Sequence, residues 1–338
     1  MVSVHLESGR VGLREAALPE RPDGFALIRL LAGGICNTDI ELRRGYYGFA
    51  GRPGHEFVGE VVEADNAGLV GKRVTGEINL ACGVCSWCRR GWGRHCPTRT
   101  VLGIVRHPGA FAEFLTLPEV NLHVLEAAIS TEAAVFAEPL AAACEILDQV
   151  NIPAGSAVAV LGDGKLGLLV SQVLQASGLR VHQFGRHADK LRIAAGKGVT
   201  TEIAPEHLPE AEYAWVVDAT GSAAGLKAAV RMTQPRGTVI LKSTVHGDVP
   251  VDSAPVIVNE ITLVGSRCGR FEPALELLAS AKVDVESMIA ASYPLSQAPR
   301  AFDEAMRSGM LKVLLQHPGS DARRSPVSLA WSGRDGYA

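Results

Sequence analysis

Hydrophobic and polar positions change texture twice along this chain. In the first third, short apolar runs at 25–31, 57–63 and 73–78 alternate fairly and are broken by glycine, with no helical period. That pattern predicts strands of a small β-rich, barrel-like unit. From residue 130 the chain becomes alanine-rich and helical to 147, with Pro139 expected to kink or break the helix. After 156 strand and helix alternate. Strands are expected at 156–161, 180–184, 213–218, 237–242 and 261–265, and a helix over 165–177 closed by Gly178. Continuous apolar strands separated by helices predict a parallel sheet covered on both faces, an α/β doubly wound arrangement. Two more helices are expected after 268, and a final strand at 312–316 returns to the first unit. The expected organisation is therefore a catalytic unit at 1–127 and 269–320, a nucleotide-binding unit at 128–268, and a polar tail at 321–338.

Composition narrows the class. A chain of 338 residues with 47% hydrophobic content suits two domains with sizeable cores. The net charge of −3 gives no general attraction to nucleic acid or acidic lipid. No apolar run is long enough to span a bilayer, and residues 1–10 lack the basic-then-apolar texture of a signal peptide. Seven cysteines, most of them placed to meet metals, suit a reducing, cytoplasmic setting.

Four of those cysteines, Cys82, Cys85, Cys88 and Cys96, crowd into one glycine-containing loop. Four thiolates at this spacing can surround one tetrahedral Zn²⁺ and leave no place for substrate, which predicts a structural site. Arg89, Arg90, Arg94 and Arg99 lie beside it to offset its negative charge. The alternatives are two disulfides or four thiols gathered without purpose. Cys144 and Cys268 read as buried small residues.

A second motif is Gly162-Asp163-Gly164-Lys165-Leu166-Gly167, between a strand and a helix. In that context the glycines permit a turn, a close approach of diphosphate to backbone, and tight helix–sheet packing. The next strand ends at Gly185-Arg186, where NAD enzymes carry an acidic residue. With no carboxylate there and Arg186 able to grip a 2′-phosphate, the sequence favours NADP(H) over NAD(H).

Cys36 in GlyGlyIleCysAsnThrAsp, His55-Glu56 in ArgProGlyHisGluPheValGlyGlu and Glu138 in PheAlaGluProLeuAla complete a constellation with these two motifs. Together they resemble the zinc-dependent medium-chain dehydrogenase/reductase family, most nearly its polyol, glucose and threonine dehydrogenase branch. The resemblance implies a GroES-like catalytic domain beside a Rossmann domain, and a catalytic zinc lined by Cys36, His55, Glu56 and Glu138. Charge counting predicts that Glu56 and Glu138 are not both tightly bound at every stage. Thr38 is the implied proton acceptor and Asp39 the implied support of the site. Glu41 stands where several relatives carry a relay histidine, so either it collects the proton or it is an exposed helix carboxylate. Thr220, Ser243 and Arg267 resemble cofactor-lining positions. The implied reaction moves a hydride between a secondary alcohol, such as a polyol or sugar, and NADP(H), with the substrate oxygen on zinc. The alternatives are a reductase of simple or hydrophobic carbonyls, with Tyr46, Tyr47 and Phe49 lining its pocket, and a non-catalytic NADPH-binding protein. Relatives imply a homodimer or homotetramer.

Overall fold

A computed structural model describes residues 1–205, 207–243 and 249–317; the tail expected at 321–338 lies outside them. The first unit is built on a seven-stranded sheet. Its path runs Leu122–Val124, Arg73–Gly76, Glu56–Glu63, Phe25–Ile35, Lys312–Gln316 and Ile289–Pro294, with Phe114–Pro118 also pairing to Phe25–Ile35. The strand Lys312–Gln316 is antiparallel to Phe25–Ile35 and parallel to Ile289–Pro294. It is buried on both faces, which is why its apolar run does not alternate. Val313 and Leu315 enter the core of Ile28, Leu30, Phe57 and Phe111, whereas Leu314 faces the core shared with the second unit.

The second unit is a six-stranded parallel sheet in the order Thr200–Ile203, Arg180–Gly185, Ala157–Leu161, Tyr213–Asp218, Thr233–Leu241, Thr262–Gly265. The chain order reverses between Ala157–Leu161 and Tyr213–Asp218, and ligands of such sheets bind at that switch, beyond the strands' carboxyl ends. The helix Lys165–Ala176 buries Leu168, Leu169, Val170 and Val173 against the sheet. Strands Thr200–Ile203 and Ile289–Pro294 were not expected; both are short and half exposed, so their apolar signal is weak.

Pro139 neither kinks nor breaks its helix. The helix runs Ala137–Gln149, and Pro139 sits in the first turn, where its missing N–H has no intrahelical partner to lose. The break lies just before, at Val135–Phe136, after the short helix Thr131–Ala134 capped by the Ser130 hydroxyl. No helix among the described residues is long and apolar enough to cross a membrane.

Candidate active site

The four-cysteine loop folds around a single turn of helix, Ser86–Arg89, and its sulfurs converge. Cys85 and Cys88 Sγ lie 3.4 Å apart, Cys82 and Cys88 3.9 Å, and Cys85 and Cys96 3.9 Å. A tetrahedral zinc with bonds of about 2.3 Å requires sulfur–sulfur edges of about 3.8 Å, so the donor set fits the metal. All four are free thiols. Without a cation they ionise unequally: the backbone at Cys82 and the Thr98 hydroxyl lower Cys96 to about 6, while burial and the neighbouring thiols push Cys88 up to about 12. The arginines serve the lobe's backbone more than its sulfurs. Arg89 donates to Val84 O, Arg99 to Cys96 O, and Arg90 lies 5.7 Å from the Trp92 ring centre. Arg94 ties the lobe to the second unit through Glu145 (3.0 Å) and Cys268 O (2.9 Å). Replacing Cys88 with alanine is expected to remove one zinc per chain by elemental analysis and to lower Tm by about 5 °C or more.

The second cluster is set by the helix Asn37–Arg43 and the strand Glu56–Glu63. Cys36 caps the helix. Asp39, fully buried, accepts from Cys36 N (2.9 Å) through one oxygen and from Gly54 N (3.1 Å) through the other. One carboxylate thereby fixes both the loop bearing the thiol and the loop bearing His55, whose Nδ1 lies 3.5 Å from Asp39. Ligand atoms of Cys36, His55 and Glu56 fall within 4.8 Å of one another. Thr38 Oγ1 is 3.8 Å from Cys36 Sγ. Glu138 is outside the group that meets this limit; its Oε1 lies 4.0 Å from Cys268 Sγ, and it feels the charges of His55 and Glu56.

The electrostatics favour a cation here. Burial would lower the His55 pKa, but Asp39 and Cys36 more than reverse this and hold its imidazolium well above the usual range. Burial raises Glu138 above an ordinary carboxylate, with His55 pulling the other way. Glu56 Oε1 is buried and has no hydrogen-bond partner among the described residues. An orphaned carboxylate oxygen beside a thiol and an imidazole is the donor set a catalytic zinc takes. Glu41 pairs with Arg44 at 2.7 Å, a partly exposed contact one helical turn long.

The cofactor motif closes on the same region. Gly162 adopts φ +110°, and a Cβ at Gly167 would lie 2.3 Å from Gly162 O, so neither position accepts an ordinary side chain without rearrangement. Gly164 caps the helix and Leu166 is half buried in its first turn. Lys165, the first helical residue, is lowered by burial and by Lys312; Cys36, Glu56 and Asp39 oppose that shift. The helix N-terminus therefore opens towards the second cluster. Thr220 is fixed by Asp218 Oδ1 (2.8 Å to its hydroxyl), and Ser243 approaches Gly221 beyond the adjoining strand ends. Arg267 is committed elsewhere. Its guanidinium donates to Arg94 O (2.6 Å) and lies 3.4 Å from Asn79 Oδ1, within the four-cysteine lobe's contacts. At Gly185 the strand end is not empty, because the Asp163 carboxylate lies against it.

Residues 22–127 match the alcohol dehydrogenase GroES-like domain, and residues 166–280 the zinc-binding dehydrogenase family. D-altritol 5-dehydrogenase of Agrobacterium fabrum is 30% identical over 310 residues, 86% of this chain and 92% of that protein. The chain belongs to the zinc-containing medium-chain dehydrogenase/reductase family. It is a zinc-dependent dehydrogenase acting on CH–OH groups with a nicotinamide cofactor. D-arabitol-phosphate dehydrogenase of Enterococcus avium is 29% identical, covering 89% of this chain and 92% of the relative. Among solved structures, a zinc-binding dehydrogenase of Sinorhizobium meliloti bound to NADP superposes with a TM-score of 0.85 at 30% identity, covering 93% and 98% of the two chains. Alcohol dehydrogenase from Thermus sp. ATN1 gives 0.85 at 31% identity, covering 94% and 100%.

Two residues of this dehydrogenase escaped sequence reasoning. Lys312 forms an ion pair with Glu56, the two side chains 2% and 0% exposed, and its Nζ lies 5.3 Å from the Phe136 ring centre. They meet over Gly34, where a Cβ would sit 2.5 Å from Glu56 Oε2 and 3.2 Å from Lys312 Cδ. The signal available was a lysine opening an otherwise apolar strand near a second glycine-bearing strand. Asp163, which stands in the glycine motif with no role assigned from the sequence, is the other.

Proposed function

We propose that this dehydrogenase interconverts a secondary alcohol of a polyol or sugar-like molecule and the corresponding ketone. The observation that carries the reading is the Cys36, His55 and Glu56 donor set, within 4.8 Å, beside the Thr38 hydroxyl and facing the glycine motif's helix. The polyol class is supported by relatives named for altritol and arabitol phosphate. The donor set would hold zinc, whose Lewis acidity makes a bound hydroxyl acidic, while a nicotinamide dinucleotide takes or returns the hydride.

What the chain's own residues do follows from their placement. Thr38, half buried next to Cys36, is placed to accept the substrate hydroxyl's proton while its own hydroxyl proton is released to solvent water, so it serves as a two-way relay. Glu41 lies on the same helix, but its pairing with Arg44 holds it as a charge-neutralised surface group. Asp39 fixes the Cys36 and His55 loops and excludes alternative geometries of both. Lys312 holds Glu56 in a buried position with one oxygen free.

A spectrophotometric screen of polyols, sugars and simple alcohols for NADH and NADPH formation tests the reading. Turnover of polyols is expected; turnover of small or hydrophobic alcohols alone would sink the substrate class. The edge strand Thr262–Gly265, with exposed Leu263 and the neighbouring exposed Ile257 and Val258, supports assembly as a homodimer through that edge. Light scattering on purified protein should give twice the chain mass, and Leu263→Lys should shift it towards the monomer.

A further inference from the structure

Gly185 ends the second strand of the nucleotide sheet without a side chain, yet the space beside it is filled. A Cβ built there would lie 2.6 Å from Asp163 Cβ, 2.8 Å from its Oδ2 and 2.9 Å from its Cγ. Asp163 reaches across from the glycine loop that follows the adjacent parallel strand. Its Oδ2 accepts from Arg186 N (2.7 Å) and His187 N (2.7 Å) and lies 2.9 Å from His187 Nδ1. The side chain is 8% exposed, and Oδ1 has no partner among the described residues. Burial would raise the Asp163 pKa, but the His187 ring and the two N–H groups reverse this and hold it below the usual carboxylate range. The group is an anion at neutral pH.

Two consequences follow for a dinucleotide lying along this strand end. The backbone donors of Arg186 and His187, which a 2′-phosphate would seek, are already taken by a carboxylate. Arg186 is exposed, and whatever attraction it offers a 2′-phosphate is opposed by the Asp163 carboxylate lying against the same strand end. A ribose 2′-hydroxyl, by contrast, can donate to the free Oδ1.

We propose that Asp163 is a specificity-determining residue of this dehydrogenase, supplying from the glycine loop the carboxylate that holds the adenosine ribose, so that NAD(H) is preferred over NADP(H). This reverses the preference read from Gly185-Arg186 alone, because the missing acidic group is present but comes from another strand's loop. Fluorescence titration of the purified protein with NADH and with NADPH tests it without any alcohol, so an error in substrate class does not affect the result. NADH is expected to bind on the order of tenfold more tightly than NADPH. Asp163→Asn keeps an oxygen acceptor for the loop N–H groups and removes the charge; it should move the affinity ratio towards NADPH by about tenfold. NADPH binding as tightly as NADH in the unmodified protein overturns the proposal, as does an unchanged ratio in a folded Asp163→Asn variant. If that variant does not fold, the unmodified protein's ratio decides alone.

Discussion

Serine at position 36 is expected to reduce turnover by about a thousandfold or more while leaving NADH binding within about twofold of the unmodified protein. Cys36 is the only soft donor among the three groups whose ligand atoms lie within 4.8 Å, and a serine hydroxyl at neutral pH remains protonated and binds zinc poorly. The substitution is conservative in volume. Asp39 accepts from the Cys36 backbone N–H, not from its sulfur, so the helix cap and the His55 loop survive. The glycine motif lies on a separate sheet, so dinucleotide affinity should be retained. Metal analysis should show one zinc per chain instead of two, the remaining one in the four-cysteine lobe. Steady-state rates on the best polyol, metal content and NADH titration on one preparation check all three parts. Full activity with one zinc lost, or full activity with both retained, would remove Cys36 from the catalytic centre.

Where the fold was legible, the reason was period. The apolar run at 157–161, the glycine turn and the amphipathic Lys165–Ala176 helix carry their pattern in adjacent residues, and the structure follows them to within a residue or so. The four cysteines were legible for the same reason, all their sulfurs lying within one short loop. Pro139 misled because a proline in a first helical turn and one in a helix interior look alike until the helix start is known. The strand Ile289–Pro294 carries Ala, Ser and Tyr on half-exposed positions and offers no clear alternation. The site divided along the same line. Cys36, Asp39, His55 and Glu56 cluster through one helix and one strand start, whereas Arg267 turned out to brace the four-cysteine lobe. Lys312 and Asp163 act on partners 256 and 23 or 24 residues away, and no local pattern records such pairings.

Lys312→Met is the more informative test of how the catalytic centre is held, because it keeps the stem's bulk and removes only the charge. The lysine is the cation in direct contact with Glu56, and the pair sits over Gly34, where three strands of one sheet run side by side. Burial by itself disfavours the ammonium, yet the charges of Glu56 and Cys36 hold its pKa above the usual lysine value, so the lysine is charged in the folded protein. Losing one partner of a buried pair leaves the other charge unpaired and costs on the order of 3–5 kcal/mol. For a chain of 338 residues that corresponds to a fall in Tm of about 5 °C. Turnover should fall by about ten- to a hundredfold, since Glu56 would no longer be held against the back of the site. The double variant Glu56→Gln/Lys312→Met separates the two effects. With neither charge of the pair left, stability should recover by about 1–3 kcal/mol relative to Lys312→Met, as expected for side chains in direct contact. Activity should not recover with it, because the free carboxylate oxygen of Glu56 is then gone as well. Thermal melts and rates on the single and double variants check this. Recovery of both together would remove the Glu56 carboxylate from the catalytic cluster, whereas a Lys312→Met single variant that keeps its full zinc content yet turns over slowly ties the lysine to the position of Glu56.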